Sequence, residues 1–302
     1  MKQKNNIVVT GALGQDGIIL SQILVKEKYK VYGLIKKNKK SKFKLKNVIY
    51  KSLDLSNFKK LKNYLDKLNP YCLIHLGSEN PNFYELKKKK FYDNNFLVTK
   101  NLIDYFSKIK PNKKLILVGS SQMYRANNRK INLKTPFEPI NSYAKFRTDS
   151  FKYMVKLKKK HKSNIVMAIL FNHDSIYRNT KFLIPRLIKM VKKKQYKKLE
   201  EIFQTNIIGD FSHAEDICNG LFRLISFKKN IDKLIFSSNK KTSVNDIIKF
   251  ILKKNKIKKK FFLKISPARE GLIGDNIYTK KLLNWKIKKN IFIAANELNT
   301  SI

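Results

Sequence analysis

The sequence of 302 residues predicts an α/β protein built on a doubly wound parallel sheet, and two observations support this prediction. Through the first half, short apolar runs alternate with longer segments of helical apolar spacing, the pattern of parallel strands joined by crossover helices. The first apolar run leads directly into three glycines with the spacing G-x-x-G-x-x-G, namely Gly11, Gly14 and Gly17. A strand, a glycine turn and a helix in this order are typical of a dinucleotide-binding turn.

The alternation assigns strands and helices as far as residue 171. We expect strands at 7–10, 30–35, 48–51, 71–76, 114–118 and 164–171. We expect helices at 16–28, 57–68, 86–108 and 142–161. Together these elements predict an NAD(P)-binding Rossmann domain over residues 1–171.

The second half is less regular and predicts a smaller α/β substrate lobe over residues 172–302. Its expected elements are a helix at 182–194, a strand at 205–209, a helix at 213–226, a strand at 234–237 and helices at 243–255 and 278–284. Open α/β sheets bind ligands at the carboxyl ends of their strands. We therefore expect this lobe to cover that edge and to be interleaved with the first domain, without folding independently.

The composition excludes several classes of protein. Apolar residues make up 42% of the chain, which is enough for a sizeable core, and no apolar stretch reaches the ~18–20 residues of a membrane span. We expect no secretory signal before the first strand, and Cys72 and Cys218 lie in apolar surroundings that favour buried thiols in a reducing compartment. We expect a cytoplasmic protein without a membrane partner.

The formal net charge of +46 raises the question of nucleic-acid binding. Most of the 67 basic residues are Lys, spread along the chain. Specific nucleic-acid surfaces rely instead on Arg and on aromatic platforms. We therefore predict solvated Lys-rich faces and no nucleic-acid partner, with a functional polycation as the alternative. The four histidines have no metal-ligand spacing, so we predict no metal site.

The glycine turn predicts where a pyrophosphate would bind. Glycines permit a tight turn and a close approach of the backbone, and the following helix presents free N–H groups and the positive end of its dipole. The expected cofactor contacts in this turn are Gly11, Gly14, Gln15, Asp16 and Gly17.

The end of the second strand predicts the type of dinucleotide. An acidic residue there would bind the ribose 2′-hydroxyl of NAD, whereas this sequence has Lys36 and Lys37. Because cations suit a 2′-phosphate, NADP is favoured, although lysines are frequent throughout the chain and NAD stays open as the alternative. Asp54 and Leu55 after the third strand, and Leu76 after the fourth, are further expected cofactor contacts.

Two hydroxyl groups further along the chain predict a proton-transfer site. Ser120 follows the fifth strand, and Tyr143 opens the helix at 142–161. A tyrosine can pass a proton to or from a substrate oxygen while hydride moves to or from a nicotinamide, and a nearby cation stabilises the phenolate. On a helix, residue i+4 shares a face with residue i, so Arg147 rather than Lys145 is the predicted partner of Tyr143. Without the glycine turn and Ser120, a core aromatic would be the simpler interpretation of Tyr143.

With these residues in place, the sequence resembles the extended short-chain dehydrogenase/reductase family, and within it the GDP-mannose 4,6-dehydratase group. The matching segments follow the order of that family along nearly the whole chain: TGALGQDG (10–17), DL (54–55), SSQMY (120–124), TPFEPINSYA (135–144), LFNHDS (170–175) with Phe182, and DFSHAEDI (210–217). The glycine and tyrosine segments are shared across the family. The combination of TGxxGQDG with LFNHDS is specific for the dehydratase group.

This resemblance implies a sugar-nucleotide 4,6-dehydratase that converts GDP-mannose to GDP-4-keto-6-deoxymannose. Tyr143 would deprotonate the C4 hydroxyl while hydride passes from C4 to NADP. Water would then be lost across C5 and C6, and the hydride would return to C6. Ser120 matches the catalytic Ser or Thr of the family and also a substrate contact. Asn172 and Arg186 match or lie near positions that contact the diphosphate region of the nucleotide sugar.

The chain departs from the family pattern at three positions. Arg147 replaces a Lys, which keeps the charge in a bulkier group that does not titrate. Gln122 replaces the Glu that serves as acid and base at C5 and C6, and a carboxamide cannot shuttle a proton at neutral pH. Gly209 stands where the family has an Arg.

Glu79 offers a compensation for the loss at Gln122. The family has Gln shortly after the fourth strand, where this chain has Glu79, and both segments end adjacent strands. We hypothesise that Glu79 takes over the acid and base work, and a solvated loop carboxylate is the alternative.

These departures leave two other functions open. An NADPH-dependent reductase or epimerase acting on a 4-keto-6-deoxyhexose nucleotide needs only Tyr143, Ser120 and a hydride donor. A catalytically weakened family member that binds nucleotide sugar is the other alternative.

The loop after the second strand is short compared with the dehydratase group, which favours a homodimer through the helices at 86–108 and 142–161 over a tetramer.

Overall fold

The computed structural model describes residues 4–37, 41, 43–80, 90–125, 130–258 and 266–302. Its strands are β1 (Lys4–Thr10), β2 (Tyr29–Ile35), β3 (Val48–Ser52), β4 (Cys72–His75), β5 (Lys114–Ser120), β6 (Ile165–Leu170), β7 (Asn172–Asp174), β8 (Ile207–Gly209), β9 (Phe211–His213), β10 (Lys233–Phe236), β11 (Thr242–Ser243) and β12 (Arg269–Glu270). Its α-helices are α1 (Gln15–Lys26), α2 (Phe58–Leu68), α3 (Lys90–Asp104), α4 (Ser142–His161), α5 (Leu183–Lys192), α6 (Tyr196–Gln204), α7 (Ala214–Ser226), α8 (Val244–Lys254), α9 (Ile277–Leu283) and α10 (Ile291–Ser301).

Seven of these strands form the central sheet, in the order β3-β2-β1-β4-β5-β6-β10. Every neighbouring pair in this sheet is parallel. The chain runs outward from β1 to β3, crosses back to β4 and continues to the opposite edge. Doubly wound sheets bind ligands at such a reversal, which lies here between β1 and β4. The predicted α/β Rossmann fold is confirmed.

Helices cover both faces of the central sheet, because successive side chains of a buried parallel strand point to opposite faces. In β1, Val9 packs into the apolar layer that includes α1 and α7, whereas Val8 packs into the layer of α2, α3 and α4. A third apolar core joins α5, α6, α8 and α10 in the C-terminal half and includes Leu187, Ile248 and Leu298. This third core supports the lobe that follows the central sheet.

Strand β10 belongs to the C-terminal half of the chain but extends the central sheet beside β6. Trp285 is 1% exposed, packs against Phe236 of β10 and donates from Nε1 to the Asp216 carbonyl oxygen at 2.7 Å. The short strands form two further sheets, β11-β8-β12 and β7-β9. The boundary that we propose after residue 171 therefore divides the chain, while the central sheet uses strands from both sides of it.

The structure contains two C-terminal helices that the sequence analysis did not predict. α6 precedes the predicted strand at 205–209 and buries Leu199 and Phe203, which are four residues apart. α10 buries Ile291 and Leu298 on one face. Both helices are short, with 9 and 11 residues, and their buried apolar side chains belong to the third core.

The helix predicted at 86–108 differs from the structure in length and type, and residues 86–89 lie outside the described residues. α3 ends at Asp104, and a π turn over Tyr105–Ile109 follows it. The wider turn buries two consecutive aromatic side chains, Tyr105 and Phe106. Among the described helices, none is both long and apolar enough to span a bilayer.

Candidate active site

The glycine turn after β1 packs against the loop after β4 at backbone distance. Gly11 has a φ of +67°, and a Cβ built there would lie 2.8 Å from the Gly77 Cα. A Cβ on Gly17 would lie 2.3 Å from the Gly11 carbonyl oxygen. Contacts this close leave room only for glycine. Gly14 precedes α1 and supplies no side-chain cap, so the helix N-terminus is open to an anion.

Gln15 and Asp16, both predicted cofactor contacts, use their side chains to bind the segment after β6. Asp16 Oδ1 lies 3.0 Å from His173 Nε2. Gln15 donates to the His173 carbonyl oxygen at 3.2 Å and accepts a hydrogen bond from Ser175 Oγ at 3.1 Å. The GQDG and LFNHDS motifs are therefore in direct contact with each other.

Charge and burial shift the two pKa values of this contact in opposite directions. Burial acts to raise the pKa of Asp16, but the charge and hydrogen bond of His173 outweigh it and lower that pKa to about 2. Burial acts to lower the pKa of His173, but Asp16 outweighs it and raises that pKa above its ordinary value. Arg178 adds a cation beside the pair, since its Nε lies 2.7 Å from Asp174 Oδ1. An ion pair thus joins the glycine turn to the C-terminal half.

The ends of β2 and β3 hold the residues that were predicted on the adenosine side. Lys36 forms an ion pair with Glu79, and the two side chains are 65% and 42% exposed. Lys37 is also exposed. The Asp54 carboxylate accepts a hydrogen bond from Ser56 Oγ at 2.6 Å, and the hydrogen bonds of Ser56 lower the pKa of Asp54. Asp54 therefore orders the turn that leads into α2.

The two apolar residues that were predicted as cofactor contacts lie on opposite faces of the sheet. Leu55 is half-buried against the layer of α2, α3 and α4, and Leu76 is half-buried against the layer of α1 and α7. Asn101 of α3 donates to the Leu55 carbonyl oxygen at 3.0 Å. Leu76 accepts a backbone hydrogen bond from Ser78 at 3.1 Å, within the loop that packs on the glycine turn.

Tyr143 and Arg147 lie side by side on α4. Arg147 Nη2 lies 3.4 Å from Tyr143 Oη and 2.5 Å from Ser78 Oγ. Its Nη1 donates to the Val118 carbonyl oxygen, and the residue is 3% exposed. The guanidinium is therefore fixed between the end of β5 and the loop after β4, with its permanent charge next to the phenol.

Ser120 and Gln122 lie where β5 passes into a short 3₁₀ turn. Ser120 Oγ accepts a hydrogen bond from the Gln122 backbone N–H at 3.2 Å. Gln122 Oε1 accepts one from Asn141 Nδ2 at 3.2 Å. Asn141 in turn caps α4, because its Oδ1 accepts from the Ala144 N–H at 2.8 Å. The Gln122 carboxamide is thus tied to the start of the helix that carries Tyr143.

A buried chain of hydrogen bonds, which the sequence analysis missed, supports the loop after β4. His75 is 1% exposed, with Nδ1 2.8 Å from Thr10 Oγ1 and Nε2 3.2 Å from Thr99 Oγ1. Burial, followed by the charge of Arg147, lowers the pKa of His75 to about 3, so the ring is neutral at physiological pH. The Thr99 hydroxyl donates to the Asn95 carbonyl oxygen at 2.8 Å, so it accepts from Nε2 of the ring. The Thr10 hydroxyl then donates to Nδ1.

The predicted substrate contacts lie in the C-terminal half. Asn172 opens β7, is exposed and donates to the Asp210 carbonyl oxygen at 3.3 Å. Arg186 is half-buried in the first turn of α5. Gly209 ends β8, where a Cβ would lie 2.9 Å from the Phe211 ring, so a larger residue requires that ring to move.

The structure brings the predicted residues together in two groups. Around the end of β5 it gathers Ser120, Gln122, Tyr143 and Arg147. Over the end of β1 it gathers the glycine turn, Lys36 and Glu79. The residues that were missed, among them Ser78 in the loop after β4 and Asn95 in α3, are polar side chains whose local sequence gives no motif. No cluster of His, Cys, Asp or Glu that could hold a metal occurs among the described residues.

The Asp16–His173 ion pair predicts a pH-dependent stability. Its contribution is complete between about pH 4, above the ordinary pKa of an aspartate, and about pH 6.5, the ordinary pKa of a histidine. Because the pKa of His173 is raised in the folded protein, the stabilisation by the ion pair is lost as the pH rises through this folded-state pKa. We therefore expect Asp16→Asn to lower the free energy of urea unfolding more at pH 6 than at pH 9.

The matched control is Asp246→Asn, which removes an exposed carboxylate on α8. This variant should cost less than about 1 kcal/mol at both pH values, as is usual for an acid near a helix N-terminus. An Asp16→Asn loss of the same size at pH 6 and pH 9 would contradict the ion pair.

Comparison with known proteins identifies the family of the chain. A family model described as GDP-mannose 4,6 dehydratase matches residues 8–292. GDP-mannose 4,6 dehydratase 1 of Arabidopsis thaliana is 23% identical over an alignment of 318 positions that covers 95% of this chain and 87% of that protein. GDP-mannose 4,6 dehydratase of Dictyostelium discoideum is 22% identical over an alignment of 344 positions that covers 98% of this chain and 95% of that protein.

Solved structures share the fold at lower identity. A dTDP-glucose 4,6-dehydratase of Bacillus anthracis, in complex with NAD, has a TM-score of 0.83 at 15% identity and covers 99% of this chain and 96% of its own. A UDP-glucose 4-epimerase of Thermotoga maritima, with UDP-glucose, has a TM-score of 0.83 at 14% identity and covers 98% of each chain. The family match spans nearly the whole sequence and agrees with this fold, so the chain belongs to the GDP-mannose 4,6-dehydratase family of extended short-chain dehydrogenases/reductases.

Proposed function

We propose that the chain is a sugar-nucleotide 4,6-dehydratase that converts GDP-mannose to GDP-4-keto-6-deoxymannose with NADP as its cofactor. One observation carries this proposal: the Tyr143 hydroxyl lies against a fixed Arg147 at the same edge of the sheet as the glycine turn. The family match supports the choice of substrate. The nucleotide-sugar complex of the Thermotoga maritima epimerase supports the substrate class.

The residues present fit a nicotinamide dinucleotide. The turn from Gly11 to Gly17 leaves room only for glycine at both ends and opens onto the N-terminus of α1, which suits a pyrophosphate. Lys36 and Lys37 place cations at the end of β2, which supports a 2′-phosphate and therefore NADP. The Bacillus anthracis neighbour contains NAD, so NAD is the alternative. The bound nicotinamide would accept and return a hydride, while this chain supplies orientation and proton transfer.

Tyr143 is the group proposed to take the proton of the sugar C4 hydroxyl. Arg147 keeps a permanent positive charge beside the phenol. Ser78 and Val118 hold the guanidinium in place, so no rearrangement is needed when the proton moves. Ser120 adds a hydroxyl at the end of β5 that can donate to the same substrate oxygen.

The loss of water from C6 requires a group that gives and takes a proton, and the residues present suit this step least. Gln122 offers a carboxamide, which neither gives nor takes a proton at neutral pH. Glu79 is a carboxylate, but it contacts Lys36 and would have to leave that ion pair to reach the sugar. We therefore propose that elimination of water, rather than oxidation at C4, limits turnover.

Gln122 also favours a second candidate function. NADPH-dependent reduction or epimerisation of a 4-keto-6-deoxyhexose nucleotide uses Tyr143 and Ser120 and involves no elimination. A third candidate, nucleotide-sugar binding with little turnover, follows if the replacements at Gln122 and Arg147 both impair the chemistry.

We further propose a homodimer that resides in the cytoplasm. α3 and α4 lie side by side, joined by a hydrogen bond of 2.8 Å from Tyr92 Oη to Asp149, and Leu97 of α3 is 44% exposed. Cys72 and Cys218 are buried free thiols, which supports a reducing compartment.

Mass spectrometry tests the proposed reaction. Incubation of the purified protein with GDP-mannose and catalytic NADP⁺ should yield a product that is lighter by one water. Tyr143→Phe removes the proton-transfer group and should lower turnover by about 10²–10⁴-fold. Tyr278→Phe changes a tyrosine that is 54% exposed on α9 and should retain wild-type turnover.

A second incubation, with a 4-keto-6-deoxyhexose nucleotide and stoichiometric NADPH, separates the three candidates. Turnover in this reaction alone identifies a reductase. Dinucleotide binding without turnover in either reaction identifies a binding protein. Undiminished activity of Tyr143→Phe would show that the tyrosine has no part in the chemistry.

Gln122→Glu tests the proposed limit on elimination. A carboxylate at this position restores a proton shuttle and should raise the rate of water loss by about 10²-fold. Gln204→Glu, at the end of α6, adds the same charge at a remote position and should leave the rate unchanged. If Gln122→Glu binds both ligands but loses water no faster than the wild type, the missing acid and base is not what limits the enzyme.

A further inference from the structure

The Lys36–Glu79 ion pair joins two strands that are not neighbours in the sheet. Lys36 directly follows β2, and Glu79 lies in the loop after β4. β1 lies between those two strands. Neighbouring strands are about 4.8 Å apart, so β2 and β4 are about 10 Å apart, and the two side chains meet across the end of β1. The glycine turn begins at that end, and the ion pair therefore crosses it.

The backbone of Glu79 is fixed by the fold. Asn95 of α3 is 5% exposed, and its Oδ1 accepts a hydrogen bond from the Glu79 N–H at 2.9 Å. The Asn95 Nδ2 donates to the Glu79 carbonyl oxygen at 3.2 Å. Two residues earlier, the Gly77 N–H donates to Thr10 Oγ1 at 2.9 Å. The backbone from which the Glu79 side chain extends is thus fixed by contacts with β1 and α3.

Lys36 lies between carboxylates on both sides. Its charge helps to lower the pKa of Asp54, after the larger effect of the Ser56 hydrogen bonds, so Asp54 is also within its field. Its only charged side-chain contact among the described residues is with Glu79. One of the two cations that would meet a 2′-phosphate is therefore already paired with a carboxylate of the protein.

We propose that Glu79 is a specificity-determining residue for the dinucleotide, which acts by competing with the 2′-phosphate for Lys36. This inference rests on the proposed function, since it requires a dinucleotide on the glycine turn. A phosphate at the end of β2 must displace Glu79 and then remain beside its negative charge. A free 2′-hydroxyl meets neither obstacle. Glu79 therefore lowers the affinity for NADP relative to the affinity for NAD.

The size of the effect follows from the exposure of the pair. Ion pairs between side chains that are 65% and 42% exposed are weak and screened by salt. We expect a change in relative affinity of about threefold to fivefold at low ionic strength, and less at high ionic strength. Glu79 is thus assigned to the cofactor site, in place of the acid and base role that the sequence suggested.

Titration calorimetry with NADP⁺ and with NAD⁺ tests this assignment without any turnover. Glu79→Gln should tighten NADP⁺ binding about threefold to fivefold and change NAD⁺ binding less than about twofold. Lys36→Gln should weaken NADP⁺ binding, and in the double variant the gain from Glu79→Gln should disappear. Glu270→Gln on β12 breaks another partly exposed Lys–Glu pair, with Lys241, and should leave both affinities unchanged.

The outcomes separate this inference from the proposed function. The inference is wrong if Glu79→Gln leaves the ratio of the NADP⁺ and NAD⁺ affinities unchanged, including the case in which it tightens the binding of both equally. Failure of the wild-type protein to bind either dinucleotide overturns the proposed function itself. Circular dichroism of each variant confirms that it is folded, so that a lost affinity is not a lost structure.

Discussion

The packing of Gly11 against Gly77 determines where the functional side chains of this protein lie. Because both positions lack a side chain, the loop after β4 meets the glycine turn at backbone distance. That loop then presents two consecutive polar residues in opposite directions along the edge of the sheet. Ser78 contacts Arg147, which lies beside Tyr143, and Glu79 contacts Lys36 at the end of β2. One short loop thus connects the Tyr143–Arg147 pair with the cation that follows β2.

A second contact connects the glycine turn to the C-terminal half. Asp16 pairs with His173, and Gln15 binds the backbone and hydroxyl groups of the same segment. The turn therefore performs two tasks with separate parts: its backbone faces the ligand edge, while its side chains hold β7. The two segments whose combination resembles the dehydratase group are therefore joined by direct contacts.

The sequence predicted the fold well because alternating strands and helices produce strong periodic patterns. It also predicted the adjacency of Tyr143 and Arg147, since the spacing of four residues is a local property of a helix. It could not predict the contact of Glu79, because Lys36 is 43 positions away and the pairing depends on strand order. His75 was equally hidden, since a buried polar residue whose partners come from β1 and α3 has no sequence signature.

We propose that the glycine turn is a dinucleotide site whose shape requires glycine at position 11. Titration of NADP⁺ into the wild-type protein and into Gly11→Ala tests it directly. A Cβ at this position would meet the Gly77 backbone at 2.8 Å and push the two segments apart. We predict binding of one dinucleotide per chain by the wild type, and an affinity at least about tenfold weaker for Gly11→Ala in a chain that remains folded. Equal affinities of the two proteins for NADP⁺ would contradict the account.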